Sequence, residues 1–215
     1  ESLRNDEIYV TAIQNDGWAD VVFQRIPDYL KTAEMCLAAV QKDGHALAYV
    51  PKSLKTAELC LVAVRNYVFA LMDVPRSLKT EELCLVAVCN DGAALLDIPD
   101  SLKTTRLCLA AVQSNGDALQ YVPCDLKTAK LCLVAVCNKG SALQYVPDAL
   151  KTSQLCFMAL SSVEKGEESC VLKYVPDSLK AEKWFLSAVR QHADALEYLP
   201  DSLKTVELCL SAVLK

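Results

Sequence analysis

Residues 102–123 read LKTTRLCLAAVQSNGDALQYVP, and the rest of the chain repeats this stretch with small changes. The prolines all fall in one register, 24 residues apart except for one interval of 29, at Pro27, Pro51, Pro75, Pro99, Pro123, Pro147, Pro176 and Pro200. Leu-Lys-Thr recurs in the same register, beginning at Leu30, Leu54, Leu78, Leu102, Leu126, Leu150 and Leu203. Self-similarity at a fixed period of this length is typical of stacked repeat proteins.

The first part of each repeat predicts an α-helix, as at residues 57–64 of the third copy. Thr56 can accept a backbone N–H as the N-cap, and Glu58 places negative charge in the first turn, where the helix dipole favours it. The apolar band is too wide for a helix that is buried on one side only, so neighbours are needed on several sides. The exposed ridge is predicted to consist of Glu58, Val62 and Arg65.

The second part of each repeat predicts a short helix, as at residues 117–122, which Pro123 stops. We predict that its inward residues are Ala118, Leu119 and Val122, and its outward residues Asp117, Gln120 and Tyr121. Most copies place Gly just before this segment, which suits a left-handed residue at the end of the preceding helix. The following Val-Pro-x-x-Leu-Lys is expected to return the chain through a 3₁₀ turn.

These patterns predict an all-α fold, an α-solenoid of about nine 24-residue helix–turn–short-helix repeats in a single domain over residues 1–215. The repeats are predicted to begin near residues 5, 32, 56, 80, 104, 128, 152, 181 and 205. The chain begins at Glu1 without a methionine and ends at Lys215 partway through a repeat, so we expect a fragment of a larger protein. Its open apolar end is expected to be covered by further repeats or a cap, or by end-to-end association of the fragment.

The pattern L-C-L-x-A-V-x-x-x-G-x-A-L-x-Y-V-P-x-x-L-K-T is clearest at residues 108–123. It resembles the bacterial and protist repeats called domain of unknown function 4116, and the resemblance covers residues 5–215. That resemblance implies an array within a larger protein, in some cases an effector that bacteria deliver into host cells. The period is also similar to that of the leucine-rich repeat variant, which alternates α- and 3₁₀-helices; this likeness supports the architecture only.

One outward row of the short helices changes character along the chain. The repeat position of Phe69 holds aromatic residues in the early copies, Trp18 and His45, and small or polar residues in the later ones. The other outward position holds Met72 and Leu96 in the middle copies and Gln120 and Gln144 further along the chain. In the third copy, Asn66-Tyr67-Val68-Phe69 replaces the usual polar residue and Gly.

Clustered exposed aromatic residues often mark partner surfaces. We therefore predict a protein-binding surface made of Trp18, His45, Tyr67, Phe69, Met72 and Leu96, with Asp73 and Asp97 as its polar rim. The alternative is that Tyr67, Phe69 and Trp18 fold inward, to fill space left by a missing glycine or an insertion.

Seven of the eleven cysteines share one position of the first helix: Cys36, Cys60, Cys84, Cys108, Cys132, Cys156 and Cys209. Helices stacked about 8–10 Å apart would hold these cysteines too far apart for disulfides. We therefore expect them to be small apolar residues of the core, in a protein of the reducing cytosol. Cys89 and Cys137 are predicted on the exposed ridge, and Cys124 and Cys170 as incidental free thiols. Only His45 and His192 are available and Cys-x-x-Cys is lacking, so no metal site is expected.

Eight lysines form a ladder at one repeat position: Lys31, Lys55, Lys79, Lys103, Lys127, Lys151, Lys180 and Lys204. A row of positive charge could follow an anionic polymer such as nucleic acid. Acids recur nearby, however, and local pairing on a solvated edge is the better account. The formal net charge of −5 also argues against a general nucleic-acid binder.

The sequence contains none of the usual catalytic constellations, such as a nucleophile with a base or a phosphate-binding Gly loop, so we expect no enzyme and no cofactor. The leading hypothesis is a non-catalytic protein–protein interaction scaffold; the alternative is a passive spacer between other domains, and a third is polyanion binding along the lysine ladder. Neither a long apolar run nor a secretory leader is present, so we expect no membrane span and a cytoplasmic location, the host cytosol for an effector.

Overall fold

The computed structural model describes residues 2–15, 19–163, 171–181, 183–191 and 193–213. Within these ranges the chain is built from α-helices and 3₁₀-helices, and no described residue lies in a strand. Two compact units are formed, residues 1–110 and 111–215, and each is a run of the repeats seen in the sequence. The predicted all-α repeat class is confirmed.

The first helices of the repeats begin where the sequence places them. The α-helices in the described ranges are α1 (Ser2–Asn15), α2 (Ala19–Arg25), α3 (Ala33–Lys42), α4 (Ala57–Asn66), α5 (Glu81–Asn90), α6 (Thr105–Ser114), α7 (Ala129–Asn138), α8 (Ser153–Ser161), α9 (Lys183–Gln191) and α10 (Val206–Val213). The first copy differs from the rest, because α2 stands where later copies have a shorter, tighter segment.

The predicted threonine caps are confirmed. The Thr56 hydroxyl oxygen accepts the backbone N–H of Leu59 at 3.2 Å, and Thr128 accepts that of Leu131 at 3.3 Å. The same bond opens α3, α5, α6, α8 and α10. Each cap satisfies one of the backbone donors that a helix N-terminus leaves unpaired, which explains the recurrence of Leu-Lys-Thr before every such helix.

The second segment of most repeats is a 3₁₀-helix over its full length, rather than a helix that only ends in a 3₁₀ turn. These segments are Gly44–Tyr49, Val68–Asp73, Gly92–Asp97, Gly116–Tyr121, Gly140–Tyr145 and Ala193–Tyr198. With three residues per turn, Leu119 and Val122 fall on the same side, and both are buried. A short 3₁₀-helix follows each proline, such as Cys124–Leu126, as the sequence predicts.

The glycine that begins most second segments was predicted to be a left-handed helix cap, and that prediction is wrong. Gly44, Gly116 and Gly140 lie outside the left-handed region of backbone conformation. A Cβ on Gly116 would lie 2.9 Å from the Cβ of Lys139 and would overlap the carbonyl oxygen of Ala135, in the next first helix. At these three positions the close approach of the neighbouring repeat therefore leaves no room for a Cβ.

The core of each unit is made of the same positions in successive repeats. In α7 the buried residues are Leu131, Cys132, Ala135 and Val136. In copy eight Phe185 takes the cysteine position and is fully buried, while Trp184 packs edge-on against it with ring centroids 5.7 Å apart. The larger ring fills the place of the smaller side chain, so this departure from the repeat is a change in packing.

Candidate functional site

Three of the predicted surface residues come together in unit 1, from two neighbouring repeats. The rings of His45 and Tyr67 meet edge to face, with centroids 5.9 Å apart. Tyr67 also contacts Phe69, at 5.5 Å between centroids, and His45 contacts Tyr49 at 5.7 Å. Ring pairs at these distances and tilts are favourable contacts. The structure therefore groups side chains that the sequence could only assign to the same row.

The apolar members of this group are exposed. Phe69 is 53% exposed, Met72 66%, Leu96 60% and Tyr67 39%. The alternative that Tyr67 and Phe69 fold inward is therefore wrong. Trp18 lies outside the described residues. We call Tyr67, Phe69, Met72 and Leu96, with the half-buried His45, the aromatic surface.

The two carboxylates predicted at its rim, on Asp73 and Asp97, are half-buried at the ends of their second segments. Lys55 Nζ donates to the backbone carbonyl of Asp73 at 2.7 Å, and Lys79 Nζ to that of Asp97 at 3.0 Å. Each lysine thus binds the main chain, and neither carboxylate forms an ion pair with a described residue.

The third copy lacks two features that other copies have at the start of the second segment, a capping side chain and a glycine. In three other copies Asp43, Asp91 or Asn115 accepts the backbone N–H two residues ahead, at 2.9 to 3.0 Å, and so caps the second segment. Lys139 of the sixth copy supplies no such bond. Tyr67 supplies no such side-chain bond, and Val68 replaces the glycine. The recurring Asp-Gly or Asn-Gly dipeptide is the sequence signal for this cap. Sequence reasoning assigned a role to the glycine only and missed the capping side chain before it.

The junction that follows Val68 is looser than the one before it. Asn66 Nδ2 donates to the carbonyl oxygens of Val40 and Gln41 at 3.0 and 3.1 Å. At the next junction Asn90 makes the equivalent bonds at 3.4 Å each. Val68 stands at the glycine position of the copy that precedes this second junction.

The same row in unit 2 is a polar network. The carboxylate of Asp117 forms an ion pair with Lys139 and accepts a bond from Ser141 Oγ at 3.4 Å. Gln144 Nε2 donates to the Ser141 carbonyl at 3.1 Å, and Tyr174 OH donates to Gln144 Oε1 at 3.1 Å. These polar groups satisfy one another, whereas the apolar groups of the aromatic surface remain in contact with water.

The lysine ladder is not the solvated edge that the sequence suggested. The Lys31 side chain is only 4% exposed, and its Nζ donates to Asp28 Oδ1 at 2.8 Å and to the Tyr49 carbonyl at 2.6 Å. The predicted local pairing is confirmed for five ladder lysines, each with an exposed Asp one turn earlier. Sequence reasoning missed the second partner, the backbone carbonyl at the end of the next second segment.

The repeated cysteines are thiols that lie mainly in the core, as predicted. Cys36, Cys60, Cys84, Cys108, Cys132 and Cys156 are buried and Cys209 is half-buried. Burial raises the pKa of Cys36 to about 11, and it also raises the pKa of Cys60, Cys84 and Cys132. Thiols held protonated in this way are weak nucleophiles and weak metal ligands.

The remaining cysteines divide between exposed and undescribed positions. Cys89, Cys124 and Cys137 are exposed, and Cys170 lies outside the described residues, as does His192. In the described ranges no three His, Cys, Asp or Glu side chains come together as they would to hold a metal ion. Among the helices in the described ranges, none combines the length and hydropathy of a membrane span.

Comparison with known proteins gives one kind of match. The model of a family described as Domain of unknown function (DUF4116) matches residues 5–55, 32–79, 80–127 and 106–151. Together these overlapping matches extend over residues 5–151, well over half of the chain. No curated protein and no solved structure matches the chain.

Proposed function

We propose that this chain, which belongs to the family described as Domain of unknown function (DUF4116), is a non-catalytic scaffold that binds another protein through the aromatic surface. Phe69, Met72 and Leu96 would form the centre of the interface, and Asp73 and Asp97 its polar rim. An apolar centre with a charged edge is the usual anatomy of a protein interface.

The observation that carries this proposal is the third copy's departure from its own repeat. Tyr67 and Val68 remove a capping bond, which is worth about 1 kcal/mol, and a glycine that close packing uses elsewhere. In return the copy presents two aromatic rings that contact each other and stay exposed. Breaks in local sequence rules without a gain in packing are expected at functional sites.

The buried lysines bear on the alternatives. Binding of nucleic acid or another polyanion along the ladder would need accessible amines, and those of Lys31 and Lys127 are held by backbone carbonyls. A passive spacer would not require an exposed aromatic cluster in one copy. The buried cysteine thiols support a reducing compartment as the place of action.

The test is a double substitution, Phe69→Ser with Met72→Ser, in the 215-residue chain. Both side chains are more than half exposed, so we expect unchanged helicity by circular dichroism. Partner affinity should fall at least about thirtyfold, since two central interface residues are removed. The readout is affinity capture from a cell lysate, with mass spectrometry comparing wild type and variant.

The matched control is Gln120→Ser, at the repeat position of Met72 in a copy that contributes no residue to the aromatic surface. It should capture the same partner as the wild type. A partner held equally well by the Phe69→Ser/Met72→Ser variant would contradict the proposed surface. If no protein is captured selectively, the spacer function is favoured instead.

A further inference from the structure

A second apolar surface lies on the first helices of unit 1, where neighbouring helices leave two grooves. Groove 1, between α3 and α4, has a volume of about 190 Å³. Groove 2, between α4 and α5, has a volume of about 200 Å³. Groove 1 is lined by Ala33, Leu37, Leu54, Thr56, Glu58 and Leu59. Groove 2 is lined by Ala57, Glu58, Leu61, Thr80, Glu82 and Leu83.

Both grooves combine apolar walls with carboxylates. Glu58 lines both grooves, Glu82 lines the second, and Glu34 occupies the same position one repeat earlier. All three acids are exposed, in the first turns of their helices. Leu37 is 38% exposed, so the apolar wall is open to water.

Unit 2 contains the same groove without the acids. Groove 3, between α7 and α8, has a volume of about 160 Å³ and is formed by the same six repeat positions as groove 1. Leu133 replaces Leu37 with the same exposure of 38%, but Gln154 replaces Glu58 and Lys130 replaces Glu34. The shape of the groove is thus set by the repeat, whereas its charge differs between the two units.

The acids are not needed to form the helices. An acid in the first turn interacts favourably with the helix dipole. Yet α6 and α7 carry Arg106 and Lys130 at that position and have the same length, ten residues, as α4 and α5. The helices therefore reach this length without an acid in the first turn.

We propose that grooves 1 and 2 bind an extended basic segment of a protein, in which two apolar side chains three residues apart enter the two grooves and a Lys or Arg pairs with Glu58. The spacing follows from geometry. Packed helices lie about 8–10 Å apart. In an extended chain of the polyproline II type, side chains three residues apart lie on the same face and are about 9 Å apart. The net charge of −5 would also draw a basic segment to this surface.

This surface differs from the aromatic surface, because it uses the first helices and none of the same residues. The test is selection of a displayed library of random dodecapeptides on the intact chain. We expect enriched peptides to carry two apolar residues three apart, together with Lys or Arg. Enrichment of acidic or featureless peptides, or no enrichment above an unrelated protein, would overturn the proposal.

Synthetic copies of the enriched peptides then separate the grooves, by fluorescence anisotropy against purified variants. Leu37→Gln should weaken binding about tenfold, because it puts a polar group into groove 1. Leu133→Gln is the matched control, with equal exposure in groove 3, and should change affinity by less than about twofold. Equal effects of the two substitutions would refute binding at grooves 1 and 2.

The charge is tested separately. Glu58→Gln, which makes groove 1 resemble groove 3, should weaken binding about fivefold and reduce its salt dependence. The Phe69→Ser/Met72→Ser variant should bind the peptide as the wild type does, because it alters only the aromatic surface. The proposal for the grooves and the proposal for the aromatic surface can therefore fail separately. If Glu58→Gln leaves both affinity and salt dependence unchanged, the basic character of the ligand is wrong.

Discussion

Gly116 and its neighbours show, at the scale of single residues, how closely successive repeats approach. The Cα of Gly116 faces the backbone carbonyl of Ala135, and Asn138 Oδ1 accepts the Gly116 N–H at 2.7 Å. The first contact excludes a side chain, and the second fixes the position of the backbone. Both depend on a residue of the next repeat, so the same glycine in an isolated repeat would have neither constraint.

We predict that Gly116→Ala lowers the free energy of unfolding by about 2 kcal/mol, a typical cost of overpacking. The new methyl group must displace backbone rather than the end of a flexible side chain. The measurement is the midpoint of urea denaturation, followed by circular dichroism. Gln120→Ala, at an exposed position of the same segment, is the control and should leave the midpoint nearly unchanged. Equal midpoints for the two variants would contradict the steric role of Gly116.

At the scale of elements, a lysine and an asparagine tie a helix to its neighbour in the third, fourth and sixth copies. Lys127 Nζ donates to the Tyr145 carbonyl at 3.0 Å, at the C-terminal end of the next second segment. Asn138 Nδ2 reaches back in the opposite direction, to the Gln113 carbonyl at 2.9 Å. Such bonds satisfy carbonyls that short helices leave unpaired at their ends, and they add connections between repeats to the apolar contacts.

We predict that Lys127→Met destabilises the chain by about 1–2 kcal/mol, since it removes a charged donor from a partly buried carbonyl while keeping the apolar stem. Lys127 isolates this bond well, because Cys124 stands where other copies have an Asp partner. The control is Lys130→Met, on the exposed face of α7, and it should leave stability nearly unchanged. Thermal unfolding that is equally affected by both substitutions would refute the proposed link between repeats.

At the scale of the whole molecule, the two units share one architecture and differ in what their outer rows present. Unit 1 exposes the aromatic surface and the acidic grooves, whereas the corresponding row of unit 2 satisfies its polar groups internally. In a repeat protein the core positions define the fold, so the outer positions of each copy are free to differ. This separation predicts that stability and binding respond to different substitutions.

We predict that Tyr174→Phe lowers the free energy of unfolding by about 1 kcal/mol, through loss of its bond to Gln144, and leaves partner capture unchanged. Phe69→Ser/Met72→Ser should leave the free energy of unfolding nearly unchanged and abolish partner capture. Tyr29→Phe, which alters a side chain 85% exposed to water, is the control and should affect neither property. Chemical denaturation and affinity capture of the wild type and these three variants provide the comparison; loss of capture in Tyr174→Phe would place unit 2 in the interface.

Much of this structure can be predicted from the sequence, because the repeat spacing, the threonine caps and the buried cysteine row all depend on residues close together in the chain. The exposure of Phe69 and Met72 can be predicted in the same way, from the positions of the equivalent residues in other copies. The burial of Lys31, the steric role of Gly116 and the contact between His45 and Tyr67 required the structure. Each joins atoms that belong to different repeats, and their approach is determined by how one repeat packs on the next.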